Sequence, residues 1–305
     1  MSILRLENVK KSYENHIAVN DVSFEMPEDC IFGMLGPNGA GKTSLIRIIT
    51  TITRADSGLV LFDGEKLNSS HPSQIGYMPE ERGLYKKMEV GEHLLYLARL
   101  KGLTKSDANH EIRSWFEKFG IEDWWNKKVE ELSKGMQQKI QFISTVVHKP
   151  RLLILDEPFS GLDPINTILI KDEIDELHRK GTSIIFSTHR MEQVEEICDF
   201  IVLINQGKKV LEGRVKDVKN QFKENIFEIQ YEGALPEGLA EKVNIVSQKN
   251  DKLTIQLNEG NNSNTLLRHL LQHDVHIHSF NEILPTLNEI FIKQVERDNL
   301  VIEKV

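Results

Sequence analysis

Apolar and polar positions alternate with a period of two in LRLENV, VSFEM and LVLFDG, within about the first 60 residues, which predicts half-buried strands. Between them lie a strand-like apolar run, CIFGML, and a helix-like run, LIRIIT. From about residue 88 to 150 the period lengthens to three or four in VGEHLLYLARLKG, SDANHEIRSWFEKFG and KGMQQKIQFISTVVHK, which predicts a helical subdomain. RLLILD and TSIIFST then read as buried strands around the helix-like INTILIKDEIDELHRKG, an order that argues for parallel pairing. DFIVLINQGKKVLEG predicts a hairpin, and KDVKNQFKEN a charged helix or linker. Beyond it the composition turns acidic. Residues 221–305 combine period-two runs (IFEIQYE, KLTIQL, VHIHSF) with helical ones (NTLLRHLLQH, LNEIFIKQVE), predicting a small α+β domain after a first domain over residues 1–215.

A chain of 305 residues with 39% hydrophobic and 28% charged residues has the length for two domains with real cores. The net charge of −8 opposes a general nucleic-acid binder, whose affinity would rest on dense lysine and arginine. No apolar run reaches the roughly 18 to 20 residues that cross a bilayer, and MSILRLENVKK lacks the apolar stretch of a secretion signal, so a cytoplasmic location is expected. Cys30 and Cys198 sit in apolar runs without metal-ligand spacing and read as core thiols.

Candidate chemistry begins with GPNGAGKTS, Gly36 to Ser44, placed between a strand-like and a helix-like run as a phosphate loop requires. Gly36, Gly39 and Gly41 let the backbone curl so that N–H groups point inward, with Pro37, Asn38 and Ala40 completing the loop. Lys42 is expected to reach the terminal phosphates, Thr43 to offer its hydroxyl to Mg²⁺, and Ser44 to support the phosphates. LLILDEP places Asp156 and Glu157 at the carboxyl end of a strand, where ligands bind in open α/β sheets. Asp156 suits a metal held through water, and Glu157 a general base on the attacking water. In LSKGMQQK, Ser133 and Gly135 open a predicted helix and offer a hydroxyl and free N–H groups to an anion. There is no internal repeat and no second phosphate loop.

The order phosphate loop, LSKGM, LLILDEP, SGLDP, STH resembles that of ATP-binding-cassette (ABC) ATPases over roughly residues 1–215. The resemblance implies an α/β fold: a P-loop core with a β-rich N-terminal subdomain and a helical signature subdomain. It also implies ATP and Mg²⁺ as cofactors and two cassettes, identical or not, facing head to tail. By it, Ser133 and Gly135 would meet the partner's γ-phosphate, Asp163 in SGLDP would communicate across the dimer, His189 would touch the γ-phosphate, and Tyr13 would stack on adenine. Glu80 in YMPEERGLY stands where many cassettes carry a glutamine near Mg²⁺; a solvated turn paired with Arg82 is the alternative. Lys134 and Met136 depart from the LSGGQ form of the signature.

PEERGLY together with LSKGMQQK is similar to the branch that includes sodium-extrusion ATPase subunits, exporters whose membrane permease is separately encoded and whose ATPase often carries a small C-terminal domain. The resemblance therefore implies a protein held at the inner face of the membrane by its permease, with sodium or another small solute as cargo. A soluble cassette ATPase without a membrane partner is the competing reading. Lys86 and Lys87 are the docking candidates by position, and Trp124 and Trp125 are either docking aromatics or helical core. His269 with His273, and His276 with His278, have a spacing that metal sites share with ordinary solvated histidines.

Overall fold

Strand β1 (Ser2–Tyr13) pairs antiparallel with β2 (His16–Pro27) through a tight turn in which Tyr13 stands opposite His16. The chain continues through β3 (Ile31–Leu35), α1 (Lys42–Ile49), β4 (Ser57–Phe62), β5 (Glu65–Lys66) and β6 (Ile75–Met78). Helices α2 (Val90–Leu100), α3 (Lys105–Phe119) and α4 (Lys134–Val146) follow. Next come β7 (Leu152–Asp156), α5 (Pro164–Arg179), β8 (Ser183–Thr188), α6 (Met191–Ile197), and the hairpin β9 (Phe200–Asn205) and β10 (Lys208–Arg214). The structure is a computed structural model and describes residues 1–302 apart from 82 and 259.

Two sheets build the first compact unit, Met1–Val215. One is antiparallel, in the order β2-β1-β4-β5; the other runs β10-β9-β3-β8-β7-β6, parallel except for its edge strand β10. Every residue of β3, β7 and β8 is buried, which is why these strands read as largely apolar runs and not as alternating ones. Their large apolar side chains contribute about 1.5–3 kcal/mol each when fully buried.

The helical segment is held by its own small core. Thr104 caps α3 by accepting from the Asp107 N–H, and Gly120 ends it in the left-handed conformation (φ 61°). Trp115, Phe119 and Phe142 pack edge and face between α3 and α4. Trp125 closes this core: its ring lies against Phe116, under the Arg113 guanidinium, and so close to Gly91 that a Cβ there would come within 2.4 Å. Trp125, half-buried, thus contributes to the helical core.

The second compact unit, Lys216–Val305, is a four-stranded antiparallel sheet with helices, as its mixed periodicity predicts. After α7 (Val215–Gln221) come β11 (Ile226–Glu232), α8 (Leu239–Lys242), β12 (Val243–Lys249), β13 (Lys252–Leu257), α9 (Ser263–Gln272), β14 (His276–Ile283) and α10 (Leu287–Ile302). The strand order is β12-β13-β11-β14, and Leu266 and Leu270, one turn apart on α9, join Ile229, Leu253 and Ile255 in the core. The charged segment KDVKNQFKEN is helical over its first half.

Candidate nucleotide site

Parallel neighbours end on the same side of a sheet, so the order β3-β8-β7-β6 lines up four carboxyl-end loops on one rim. From β3 comes the phosphate loop, from β8 His189, from β7 Asp156 and Glu157, and from β6 Glu80. The rim borders a cavity of about 350 Å³. Tyr13, the loop from Asn38 to Ser44, Glu80, Asp156 and Glu157 all line it, together with His16 and Ala18.

The loop's glycines are imposed by its surroundings. Gly36 (φ 149°) and Gly41 (φ 108°) adopt backbones closed to other residues, and a Cβ would come within 2.1 Å of the Ile204 carbonyl oxygen at the first and 2.3 Å of the Ala18 carbonyl oxygen at the second. Behind the loop, the turn between β9 and β10 completes the mould: the Gly207 N–H donates to the Ala40 carbonyl (2.8 Å), and the Gly207 carbonyl accepts from Asn20 (2.7 Å). Lys42 is buried and its ammonium donates to the carbonyls of Gly36 (2.7 Å) and Pro37 (3.1 Å). Burial holds its pKa below the ordinary lysine value, against the pull of Asp156, Glu157 and Glu80.

The two adjacent acids have different environments. Asp156 is buried, which raises its pKa, while the Ser187 hydroxyl donates to it (2.8 Å) and works in the other direction. Glu157 begins the turn after β7 with φ at 51°, a conformation uncommon for a residue with a side chain. Its carboxylate accepts from the Thr188 hydroxyl (3.1 Å) and the His189 N–H (2.8 Å), and the His189 Nδ1 lies 2.6 Å from it. Both oxygens of the acid are thus held against the end of β8 and the residue that follows it. The Thr43 hydroxyl and the carboxylates that line the same cavity are all oxygen donors, a chemistry that suits a hard divalent cation such as Mg²⁺.

Six of the expected residues do not line the cavity: Gly36 and Pro37 precede the lining part of the loop, His189 stands beside Glu157, and Ser133, Gly135 and Asp163 lie elsewhere. Ser133 caps α4 by accepting from the Met136 N–H (3.3 Å), and Asp163 caps α5 by accepting from the Asn166 N–H (3.0 Å). Gly135 leaves room beside these two caps: a Cβ there would meet the Asn166 amide nitrogen at 3.5 Å and the Asp163 carboxylate at 4.0 Å. Ser133, Gly135 and Asp163 therefore gather around a separate pair of helix starts. A larger cavity, about 750 Å³, opens among Glu80, Glu81, Leu84, Lys86, Gln137 and Ser160. Among the described residues no three His, Cys, Asp or Glu side chains converge on a metal position; in the second unit the His269 ring meets His273 and the His276 ring meets His278, which also lies 3.7 Å from Glu232. Arg82, the alternative partner for Glu80, lies outside the described residues.

Sequence reasoning passed over His16, Ala18, Ser187 and Thr188. The signal for the last two was present in STH, where the serine and threonine point in alternate directions along β8, one to Asp156 and the other to Glu157.

A fold of this kind with this rim defines an ATP-binding cassette. The ABC transporter family model matches residues 19–160, and the C-terminal domain model of DrrA1-3-like ATP-binding proteins matches residues 213–295. The ABC transporter ATP-binding protein YhaQ of Bacillus subtilis (strain 168), whose name carries the word uncharacterized, is 43% identical over 295 residues, 96% of this chain and 98% of its own. The linearmycin resistance ATP-binding protein LnrL of the same organism is 34% identical over 219 residues, 71% of this chain and 70% of its own. A solved structure of an ATP binding subunit of an ABC transporter, 28% identical, superposes with a TM-score of 0.68 over 72% of this chain and 93% of that one. The chain belongs to the ATP-binding proteins of ABC transporters, in the branch of ABC-2 type exporters, and is an ATPase. No helix among the described residues is long and apolar enough to cross a membrane.

Proposed function

We propose that this chain is the ATP-hydrolysing subunit of an exporter and that it drives a separately encoded membrane subunit by closing and reopening a dimer of cassettes. The observation that carries the reading is the division of the site: the phosphate loop and Glu157 border one cavity, while Ser133, Gly135 and Asp163 cluster around other helix starts. A second cassette, of the same or a related chain, supplies the missing half at each nucleotide.

In the closed dimer the loop amides and Lys42 hold the phosphates and Tyr13 stacks on the adenine; Thr43, Asp156 and Glu80 would hold Mg²⁺, which would supply neutralisation of phosphate charge. Lys42 exchanges its two carbonyl partners for phosphate oxygens. Glu157 accepts a proton from the attacking water, with His189 holding the acid and facing the terminal phosphate. Ser133 and Gly135 of one cassette cap the phosphates bound by the other, and Asp163 relays closure across the interface. Ordered strands and caps place these groups before nucleotide arrives, so closure itself completes the reaction centre.

The cavity beside Glu80, with Lys86 on its edge, is the place where the membrane subunit docks, because movement of the segment after β6 changes both that cavity and the nucleotide rim. Cargo, sodium or another small solute, passes through that subunit at the membrane's inner face. The test is Glu157→Gln: with ATP and Mg²⁺ it should accumulate as a dimer with turnover reduced by about 10² to 10⁴. A variant that hydrolyses ATP at the wild-type rate removes Glu157 as the base, and one that stays monomeric with ATP bound removes the dimer.

A further inference from the structure

A cavity of about 440 Å³ shares no lining residue with the nucleotide cavity and is bordered by Lys10, Asn20, Asp21, Ser23, Lys208 and Lys209. Irregularities in two strand pairs bring these side chains together. Between the paired positions Val9–Val22 and Lys11–Val19, one residue of β1, Lys10, faces two of β2, Asn20 and Asp21, and Asp21 takes the left-handed conformation (φ 62°). The ladder between β10 and β9 is likewise shifted, between Lys209 and Leu211. Lys208 and Lys209, neighbours that a regular strand would send to opposite faces, both border the cavity. The two sides are fastened to each other by the Asn20 N–H, which donates to the Gly207 carbonyl (2.7 Å).

The lining is rich in donors and poor in acceptors. Lys209 is held by Glu212 (2.6 Å), but the ammonium groups of Lys10 and Lys208 have no hydrogen bond or ion pair among the described residues, whereas the adjacent Lys11 is matched to Asp56 (2.7 Å). The Ser23 hydroxyl accepts from the Asn8 N–H (2.7 Å), which leaves its own proton to donate, and the Asn20 side chain adds two N–H donors. In a chain of net charge −8, this concentration of cations is a local reversal of sign. An oxyanion with several acceptor oxygens matches such a set. Asp21, the one carboxylate on the lining among the described residues, narrows the choice. A carboxylate only accepts, so it takes a hydrogen bond from an anion that still carries an acidic proton and repels one that carries none. Orthophosphate keeps such a proton at pH 7; sulfate and the phosphodiester of a lipid headgroup do not.

We propose that this cavity is a binding site for a protonated phosphate, with Lys10 and Lys208 matching its charge and Asp21 accepting its remaining proton in a hydrogen bond. Ser23 and Asn20 donate to the other oxygens. The site adjoins the Gly207 turn, which also moulds the phosphate loop, yet it has its own lining, so both sites are filled at once.

The experiment is equilibrium dialysis of labelled orthophosphate against the full chain at pH 7, with excess ADP and Mg²⁺ occupying the nucleotide loop and sulfate or unlabelled phosphate as competitor. Replacing both lysines, Lys10→Gln with Lys208→Gln, removes two charge-assisted hydrogen bonds and should weaken phosphate binding at least about tenfold. Lys105→Gln, an exposed lysine at the start of α3, should leave it unchanged. In wild type, sulfate should compete at least about tenfold less well than unlabelled phosphate, and Asp21→Asn, which the left-handed backbone accommodates, should cut that preference to under about threefold. ADP affinity equal to wild type shows that each variant is folded. Phosphate that binds beside ADP is common to wild type and variants and drops out of their comparison. Equal competition by sulfate and phosphate in wild type overturns the proposal without any variant. So does phosphate binding that the double substitution leaves unchanged, or a preference that survives Asp21→Asn. Binding to phosphatidylglycerol vesicles that depends on Lys10 and Lys208, in place of free phosphate, overturns it by assigning the cavity to a headgroup.

Discussion

His93 offers a test of how the helical segment is held together. It lies on α2 fully buried, neither ring nitrogen has a hydrogen-bond partner, and the edge of Tyr85 meets it at 5.6 Å. Burial pushes its pKa down to about 4 from the ordinary 6.5. The folded chain therefore refuses a proton that the unfolded chain takes up below pH about 6.5, so stability falls as pH drops from there and the loss levels off below about pH 4. At pH 5 the penalty amounts to about 2 kcal/mol. Replacing His93 by Leu, similar in size and free of polar atoms, removes both the penalty and the two unpartnered nitrogens, which themselves cost about 1–3 kcal/mol at any pH. Thermal unfolding of the full chain, followed at pH 7.5 and pH 5, should show His93→Leu more stable at both. Its advantage at pH 5 should be larger by about 4–8 °C, using roughly 2–4 °C per kcal/mol for a unit of this size. His148, whose pKa burial also lowers to about 4, is present in both proteins and cancels from the comparison. An equal advantage at the two pH values would refute the reasoning, because it would mean that His93 is protonated as easily folded as unfolded.

Two further outcomes separate the halves of the site. Gly135→Ala has space for its methyl group beside Asn166, so it should fold and bind ATP as a monomer with unchanged affinity, yet weaken the ATP-dependent dimer at least fivefold in sedimentation; an unaffected dimer would remove Gly135 from the interface. Tyr13→Ala should weaken ATP binding by about five- to 150-fold, the worth of one stacked base, while leaving tripolyphosphate binding unchanged; equal losses for both ligands would mean that Tyr13 acts on the loop and not on the base.

The phosphate loop, the acid pair and the signature serine were legible because each depends on local geometry: a strand end, a tight turn, a helix start. The buried runs RLLILD and TSIIFST also declared themselves, since a strand covered on both faces is mostly apolar and lacks the alternation of a half-exposed one. What local pattern did not carry was adjacency. Nothing in the linear order says that β8 lies between β3 and β7, yet that placement brings Ser187 to Asp156 and Thr188 to Glu157. Trp125 was ambiguous for a related reason: an aromatic beside charged residues reads as exposed or buried depending on what faces it, and the deciding partner, Gly91, is 34 positions earlier. His93 passed unnoticed because a single histidine on a helix gives no sign of whether water reaches it.

The turn at Gly207 alters what the nucleotide motif is. Nine consecutive letters spell it, but its shape is cast by three stretches of chain: the motif, the Ala18–Asn20 backbone, and a hairpin apex some 160 positions downstream. Transplanting GPNGAGKTS into a foreign scaffold would carry over the spelling without the cast. Conversely, a bulky residue at 207, far from any recognisable signature, would deform the cradle as surely as one at 41.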